Sequence, residues 1–291
     1  MRGRYRDTLE RMTVWRLSGG LELTFPPSLA AGVVNVTADS FYSRARSVTP
    51  EQAIEDGLCL AEAGFDLLDV GAVAARSGPP VAAAAEIERL VPAVAGLTER
   101  ASVPVMADTF QAEVARAALD AGAVAINDIS GGSDEMFELV AERGCGYVLM
   151  HIEGPPRVDR TPRTYGDVVA HVKDWFGERI ERMSAVGVAP EQVALDPGPD
   201  FDKGVDDTIE LMGRIPELRE LGRPVMAAIS RKDFLGAILA GSWDARPEAD
   251  ERGAATLAAT ALATAQGAEL LRLHDPEALD AMRVAEAIAR G

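Results

Sequence analysis

The chain has 291 residues, 47% of them hydrophobic, and a formal net charge of −17. This length and apolar content exclude an intrinsically disordered protein and suit one large α/β domain with a sizeable core. The negative charge argues against a general nucleic-acid binder, because polyanions are bound by basic surfaces.

The first predicted element is a β-hairpin over residues 12–28 (MTVWRLSGGLELTFPPS), which turns at Gly19 and Gly20. Eight short runs rich in Val, Ile and Leu follow, separated by longer helical patterns. The predicted strands cover residues 31–37, 66–71, 103–108, 123–128, 146–151, 193–197, 224–229 and 269–274. Runs this apolar are typical of parallel strands that are buried on both faces.

Eight strands, each followed by a helical pattern, predict an α/β fold of the (β/α)8 TIM-barrel type. Thr49 and Pro50 mark the start of a helix as its N-cap and first-turn proline. Apolar spacing indicates further helices over residues 111–122 and 276–290. A doubly wound open sheet is the alternative, although no GxGxxG follows the first strand.

The sequence predicts an N-terminal extension and hairpin (1–28) followed by one barrel (29–291), with no internal repeat and no second domain. We expect the hairpin to close the bottom of the barrel. No run of about 18 uncharged apolar residues predicts a membrane span. The Arg-rich N-terminus lacks the apolar stretch of a signal peptide, which favours the cytoplasm.

The cysteines and histidines predict no metal site or nucleophile. Cys59 and Cys145 lie in apolar contexts and are interpreted as buried thiols. The chain has three histidines, no cluster with zinc-like spacing and no GxSxG motif. A histidine-based metal site or catalytic triad is therefore not expected.

Polar residues stand at the C-terminal end of nearly every predicted strand. They are Asn35, Asp69, Asp108, Asn127, Asp128, His151, Asp196, Ser230, Arg231, Lys232, Arg272 and His274. A lone aspartate at such a position is usually a helix N-cap. The active site of a (β/α)8 barrel lies at this end of the strands, so the whole set predicts one shared site at the mouth.

The residue types indicate two halves of that site. One group offers carboxylates, an amide and a cation to a flat heterocycle with donors and acceptors: Asp108, Asn127, Asp196 and Lys232. A second group suits a phosphate or diphosphate: Asn35, Arg76, Arg272 and His274. Asn35 also offers a hard oxygen ligand for Mg²⁺ on that anion. For Arg272 and His274, a surface ion pair beside Asp275 is the competing interpretation.

Eight stretches resemble the dihydropteroate synthase family in order and spacing, from about Gly32 to the C-terminus. They are NVTADSF (35–41), LDVG (68–71), ADTFQAEVA (107–115), INDISGG (126–132), YVLMH (147–151), LDPG (195–198), ISRKDFLG (229–236) and LRLHD (271–275). The SRK and RLHD pieces are more similar to the synthases than to the pterin-dependent methyltransferases, whose barrels share the Asp and Asn strand ends.

The resemblance implies that the protein condenses 6-hydroxymethyl-7,8-dihydropterin diphosphate with 4-aminobenzoate to give 7,8-dihydropteroate and diphosphate, a step of folate biosynthesis. It implies that the first group of residues binds the pterin and the second binds diphosphate, with Asn35 near Mg²⁺. Phe41, Phe201 and Ser230 would lie at the aminobenzoate site. The resemblance also implies a homodimer, with no nucleic acid or membrane as a partner.

The catalytic set expected from this chemistry is Asn35, Arg76, Lys232, Arg272 and His274. The leaving group carries away negative charge, so cations and hydrogen-bond donors around it lower the barrier. The aniline nitrogen is already a nucleophile, so no strong general base is required. Positioning of the two substrates supplies much of the remaining rate enhancement.

Both mobile loops of the family differ in this chain. In the second loop, Val73, Ala74 and Ala75 replace a glutamate, a serine and a threonine, and only Arg76 and the flanking glycines remain. In the first loop, Ser43 stands where the family has an acidic residue that helps to stabilise a cationic pterin intermediate. Two alternatives therefore stay open: a paralogue that binds a pterin but lacks or has altered synthase activity, and a pterin-dependent methyltransferase module.

A third difference lies in the segment GPDFDK (198–203). Asp200 and Asp202 stand where the family has glycines. An extra acid at this place is expected to repel the carboxylate of aminobenzoate, and Lys203 is expected to offset it.

Overall fold

The computed structural model describes residues 12–36, 47, 49–75, 78–158 and 161–290. Of the predicted site residues, Phe41 and Arg76 lie outside the described residues, as does Ser43 of the first loop. Strands β1 (Thr13–Arg16) and β2 (Glu22–Phe25) pair antiparallel around a short 3-10 turn at Ser18–Gly20. The predicted hairpin is therefore confirmed.

Eight parallel strands form the barrel wall. They are β3 (Leu29–Asn35), β4 (Leu67–Gly71), β5 (Val105–Asp108), β6 (Ala125–Asp128), β7 (Gly146–Met150), β8 (Val193–Asp196), β9 (Met226–Ala227) and β10 (Leu270–Leu273). Their order is β8-β7-β6-β5-β4-β3-β10-β9, and a parallel bridge between Leu195 and Val225 joins the two ends. This closure confirms the barrel and shows that the open-sheet alternative is wrong.

Every predicted strand is present, and most ends differ by one or two residues. The largest difference is β9, where only Met226–Ala227 of the predicted 224–229 pairs as a strand. Pro224 has no N–H to donate to a ladder. Its carbonyl still accepts from Leu195 N at 2.8 Å, so the segment stays in the wall of the barrel.

Ten α-helices are described along the chain. They are α1 (Pro50–Ala63), α2 (Ala83–Arg100), α3 (Ala112–Asp120), α4 (Asp134–Arg143), α5 (Val168–Ala185), α6 (Val205–Gly213), α7 (Ile215–Arg219), α8 (Asp233–Ala240), α9 (Gly253–Ala265) and α10 (Glu277–Arg290). Thr49 caps α1 as predicted, since its hydroxyl accepts from Gln52 N at 3.3 Å. None of the described helices is long and apolar enough to span a membrane.

The hairpin fills the bottom of the barrel. Trp15, Leu17 and Phe25 are fully buried in one cluster with the inward-facing side chains of the strands. Trp15 Nε1 donates to Gln192 O at 2.8 Å, and Ser18 N donates to Val124 O at 3.0 Å. The interior is thus apolar at the N-terminal end of the strands, which leaves the carboxyl end for polar groups.

The two cysteines differ from each other. Cys145 is buried, as predicted, but Cys59 is exposed on α1, so the prediction of a buried thiol is wrong there. Successive residues of a helix point about 100° apart, so an apolar sequence context does not by itself place a residue on the inner face. Both thiols are free.

Candidate active site

The carboxyl ends of the strands surround a pocket of about 310 Å³. Eight of the predicted site residues line it: Asp108, Asn127, Asp196, Phe201, Ser230, Lys232, Arg272 and His274. Asn35 ends β3 and pairs in register with Gly71 of β4, outside the lining of this pocket. The structure therefore brings most of the described residues of both predicted groups into one site.

Arg272 joins Asp108 of the pocket to the fully buried Asp69. Its Nη2 donates to Asp108 Oδ2 at 2.7 Å, and its Nε donates to Asp69 Oδ2. Asn127 Nδ2 donates to the same Asp69 oxygen at 3.2 Å. Asp69 Oδ1 and Asn127 Oδ1 are buried and lack a hydrogen-bond partner among the described residues. Unmet buried acceptors are rare in proteins, so this cluster is suited to a ligand that donates hydrogen bonds.

The pairing of neighbouring strands sets this geometry. Asp108 of β5 pairs in register with Gly71 of β4 and Asn127 of β6. A Cβ atom at Gly71 would lie 3.2 Å from Asp108 Cβ, so a side chain there would crowd the aspartate. Asp128 points to the opposite face, because side chains alternate along a strand. It accepts there from the Tyr147 hydroxyl at 2.7 Å and has no place in the pocket.

Burial dominates the electrostatics of the pocket. Burial and the nearby charge of Asp69 together raise the pKa of Asp108 to about 7, and Arg272 opposes both effects only in part. Asp108 therefore changes its charge near neutral pH. Burial also raises the pKa of Asp196, against the donation from Gly198 N at 2.8 Å and the charge of Lys232.

Ser230 and His274 meet on the β9–β10 side of the pocket. His274 Nδ1 lies 2.8 Å from Ser230 Oγ, and Ser230 Oγ also accepts from His274 N at 3.3 Å. Burial and the charge of Arg272 lower the pKa of His274 to about 3, so the imidazole is neutral at physiological pH. It can offer a hydrogen bond to an anion but no positive charge.

The surface interpretation of Arg272 and His274 is wrong. The Arg272 side chain is 17% exposed and His274 is 9% exposed. Asp275 pairs instead with Arg231, whose Nε donates to it at 2.7 Å. Arg272 and His274 point into the pocket together, as expected for residues two apart on one strand.

Asp200 departs from the expected arrangement. It has a φ of 69°, the left-handed conformation that glycine adopts without strain and aspartate tolerates. Its carboxylate accepts from Asp233 N at 2.6 Å and Phe234 N at 3.1 Å, at the N-terminus of α8. The acid therefore lies on a helix end, where the macrodipole favours negative charge. It still lines the pocket beside Lys232.

Lys203 does not line the pocket and offsets no charge of Asp200 there; of the two extra acids, Asp202 is the one whose charge acts on it. Lys203 is 2% exposed, and its Nζ lies 2.8 Å from Phe201 O, 3.0 Å from Gly198 O and 2.9 Å from His151 Nδ1. Burial lowers the pKa of Lys203 to about 7. The cation beside Asp200 is Lys232, whose Nζ donates to Pro199 O at 3.1 Å and lies 4.4 Å from the centre of the Phe201 ring.

Comparison with protein families identifies the barrel. A family model described as pterin binding enzyme matches residues 31–274. The dihydropteroate synthase of Mycobacterium leprae is 38% identical over 272 residues, which cover 90% of this chain and 94% of the relative. The chain belongs to the dihydropteroate synthase family. The synthase of Synechocystis sp. is 35% identical over 263 residues, 89% of each chain.

Solved structures of family members match the same fold. The dihydropteroate synthase of Xanthomonas albilineans with 4-aminobenzoic acid superposes with a TM-score of 0.84 at 38% identity, covering 95% of this chain and 98% of that one. A structure of the Xanthomonas synthase with 7,8-dihydropteroate gives a TM-score of 0.79 at 36% identity, over 94% and 98% of the two chains. Family members with ligands therefore share the barrel described above.

Two residues of this site have no role that the sequence pattern predicts. Asp69 was recognised as a polar strand end, but only the folded barrel shows that it receives both Arg272 and Asn127. Arg157 follows β7 and reaches the second loop, where it donates to Ala74 O and, at 3.1 Å, to Pro79 O. An arginine in an irregular segment carries no periodic signal, so nothing in the sequence pointed to this contact.

Proposed function

We propose that this protein joins 6-hydroxymethyl-7,8-dihydropterin diphosphate to 4-aminobenzoate and releases 7,8-dihydropteroate and diphosphate. The observation that carries the proposal is the buried cluster of Asp69, Asp108, Asn127 and Arg272, which has two unmet acceptor oxygens and contributes three of its residues to the pocket at the mouth of a family barrel. Such a cluster suits the flat donor-rich edge of a pterin.

The pterin half of the reaction would use the strand ends. Asp108, Asn127 and Asp196 would accept from the ring and amino N–H groups, and Lys232 would donate to a ring acceptor. Arg272 holds Asp108 and Asp69 holds Asn127. Asp196 accepts from Gly198 N and Lys232 donates to Pro199 O, so little reorganisation accompanies binding. The heterocycle would be held with its methylene carbon towards the rim of the pocket.

The transfer itself would take place at that methylene carbon. The aniline nitrogen forms the new C–N bond as the C–O bond to diphosphate breaks, and the nitrogen then loses one proton to solvent. Phe201 and Ser230 would position the aminobenzoate, with Phe41 of the first loop. His274, Arg272 and Arg76 would hold the diphosphate as its charge develops.

We also propose a role for Mg²⁺ on the diphosphate, at the C-terminal end of β3 beside Gly71. Asn35 offers a neutral hard oxygen at the end of β3, and Mg²⁺ usually takes few protein ligands beside phosphate oxygens and water. When bound, the ion would neutralise part of the charge on the leaving group. Asn35 is the residue that would hold it.

A paralogue with altered synthase activity is the second candidate, and two observations favour it. Val73, Ala74 and Ala75 remove three polar side chains from the second loop. Asp200 places a carboxylate on the α8 N-terminus within the pocket, near the proposed place of an anionic second substrate. In that case the pterin would still bind, but aminobenzoate would not react.

Measured release of diphosphate distinguishes the two candidates. We expect release that requires the pterin diphosphate, Mg²⁺ and 4-aminobenzoate together, with dihydropteroate formed in equal amount. Calorimetry with the free pterin alcohol serves as the matched binding measurement. Tight pterin binding without aminobenzoate-dependent release would identify the paralogue instead.

We further infer a cytoplasmic homodimer. Both cysteines are free thiols, which suits a reducing compartment. Leu262 of α9 and Val284 and Ile288 of α10 are exposed, and adjacent exposed apolar side chains are typical of an interface. Sedimentation of the wild type, which we expect to be a dimer, and of Leu262→Glu, which we expect to be a monomer, tests this inference. A wild-type monomer at micromolar concentration would contradict it.

A further inference from the structure

Three potential metal ligands come together beside the pocket, behind the loop that carries Phe201. They are His151 after β7, Glu153 two residues later and His171 on α5. The Nε2 of His171 lies 2.6 Å from Glu153 Oε1, and the Nε2 of His151 lies 3.9 Å from the same oxygen. The three ligand atoms all lie within 4.8 Å of one another.

His151 has an unmet polar atom that faces this group. The residue is fully buried, and its Nε2 has no hydrogen-bond partner among the described residues. The other ring nitrogen, Nδ1, lies 2.9 Å from Lys203 Nζ. Leaving a buried ring nitrogen without a partner is costly, so the arrangement points to a ligand that this atom would bind.

We propose that His151, Glu153 and His171 bind a divalent transition-metal ion, with Zn²⁺ the best match. Two imidazole nitrogens and one carboxylate oxygen form a known zinc donor set with one open position. Mg²⁺ is a poor match because it prefers an all-oxygen shell. Glu153 and His171 are partly exposed, so water can reach the fourth position.

The surroundings suit such an ion. For Nε2 to bind the ion, Nδ1 of His151 has to carry the ring hydrogen and donate it to Lys203 Nζ. Lys203 then acts as a neutral amine, which donates its own two hydrogens to the carbonyls of Gly198 and Phe201. Arg163 approaches the other carboxylate oxygen, Glu153 Oε2, at 3.3 Å, whereas both histidine nitrogens lie on the side of Oε1. The simpler interpretation, a His171–Glu153 ion pair, leaves His151 Nε2 unexplained.

The site has a structural connection to the substrate pocket. Lys203 contacts His151, and it also contacts the carbonyls of Gly198 and Phe201. The side chain of Phe201 lines the pocket. A bound ion would therefore hold the loop 198–203 through two contacts, and we expect it to raise the thermal unfolding temperature.

Titration of the chelator-treated full-length protein with Co²⁺ tests the proposal. We expect one equivalent to bind with the intense visible absorption of a four- or five-coordinate site, and Zn²⁺ but not excess Mg²⁺ to displace it. His171→Ala and Glu153→Gln should each weaken binding by at least the ~10–100-fold that loss of even an outer partner of a metal ligand costs.

Two matched controls make the test specific. Glu181→Gln removes an exposed acid from the same helix, and His274→Gln removes the histidine of the substrate pocket; both should bind Co²⁺ as the wild type does. Circular dichroism checks that each variant is folded. Weak featureless binding by the wild type, or unchanged binding by folded His171→Ala, would overturn the proposal.

Discussion

At the strand ends, Asp69, Asp108, Asn127 and Arg272 hold one another through side-chain hydrogen bonds inside the barrel. At the rim, the second loop is held from outside, by the Arg157 guanidinium on the carbonyls of Ala74 and Pro79. The first arrangement depends on the identity of each side chain. The second depends on backbone atoms that every residue carries.

This difference accounts for the tolerance of the second loop to changes of its side chains. Replacing one member of the strand-end cluster would leave another buried charge or amide without its partner, which is costly. In the second loop this chain has Val73, Ala74 and Ala75 where the family has polar residues. Such a change of side chains leaves the backbone contacts of the loop in place. We therefore expect variants of the strand ends to act on pterin binding and variants of the rim to act on the other substrate groups.

The largest effect is expected from Asp108→Ala. It removes an acceptor for the pterin and one of the two aspartate partners of Arg272, and breaking a buried pair costs about 3–5 kcal/mol. Calorimetry should show a loss of affinity for the pterin alcohol of more than about 100-fold. Asp134→Ala, which breaks a surface ion pair with Arg182, is the control and should bind normally. Retained pterin binding by a folded Asp108→Asn would mean that the cluster is not the pterin site.

The next effect is a pH dependence of pterin binding. Burial raises the pKa of Asp108 to about 7, and only the ionised carboxylate accepts from two N–H groups. Affinity should therefore rise as the pH rises from 6 to 8, by roughly tenfold for one ionisation, and then level off. Calorimetry of the wild type at several pH values measures this dependence. A slope of opposite sign would show that the protonated acid is the binding form.

A smaller effect is expected from Arg157→Ala at the rim. The variant loses two hydrogen bonds to the second loop, each worth about 0.5 kcal/mol on this partly exposed rim, so the KM for the pterin diphosphate should rise by about fivefold. Affinity for the pterin alcohol should stay unchanged, because Arg157 contacts no member of the strand-end cluster among the described contacts. Steady-state diphosphate release and calorimetry measure the two quantities. If the affinity for the pterin alcohol fell as much as the KM for the pterin diphosphate rose, Arg157 would belong to the groups that bind the pterin.

The smallest effect is expected from Asp200→Gly. Glycine adopts the φ of 69° without strain. The change removes the carboxylate that accepts a hydrogen bond at the N-terminus of α8. The KM for aminobenzoate should fall by about threefold, a difference of under 1 kcal/mol. Asp202→Gly is the matched control, since Asp202 has a φ of 58° but its carboxylate accepts from Glu153 N at 2.7 Å. A decrease of KM in both variants would assign the effect to the backbone rather than to the charge.

Much of the fold and part of the site could be predicted because their signals are local. The apolar runs located all eight strands, and the polar residue after each run indicated which end carries the site. Thr49 and Pro50 located the start of α1 for the same reason. The exposure of Cys59 could not be predicted, because it depends on which face of α1 packs against the barrel.

The sequence alone determined the barrel, its hairpin and the group of residues at its mouth, since periodicity, turn residues and motif order are properties of the chain itself. Only the tertiary structure decided which of these residues touch. Arg272 meets Asp69 and Asp108 across separations of 203 and 164 residues, and Asp200 reaches the α8 N-terminus 33 residues away. Closure of the barrel creates these contacts, and burial within it then sets the charge of Asp108, Lys203 and His274.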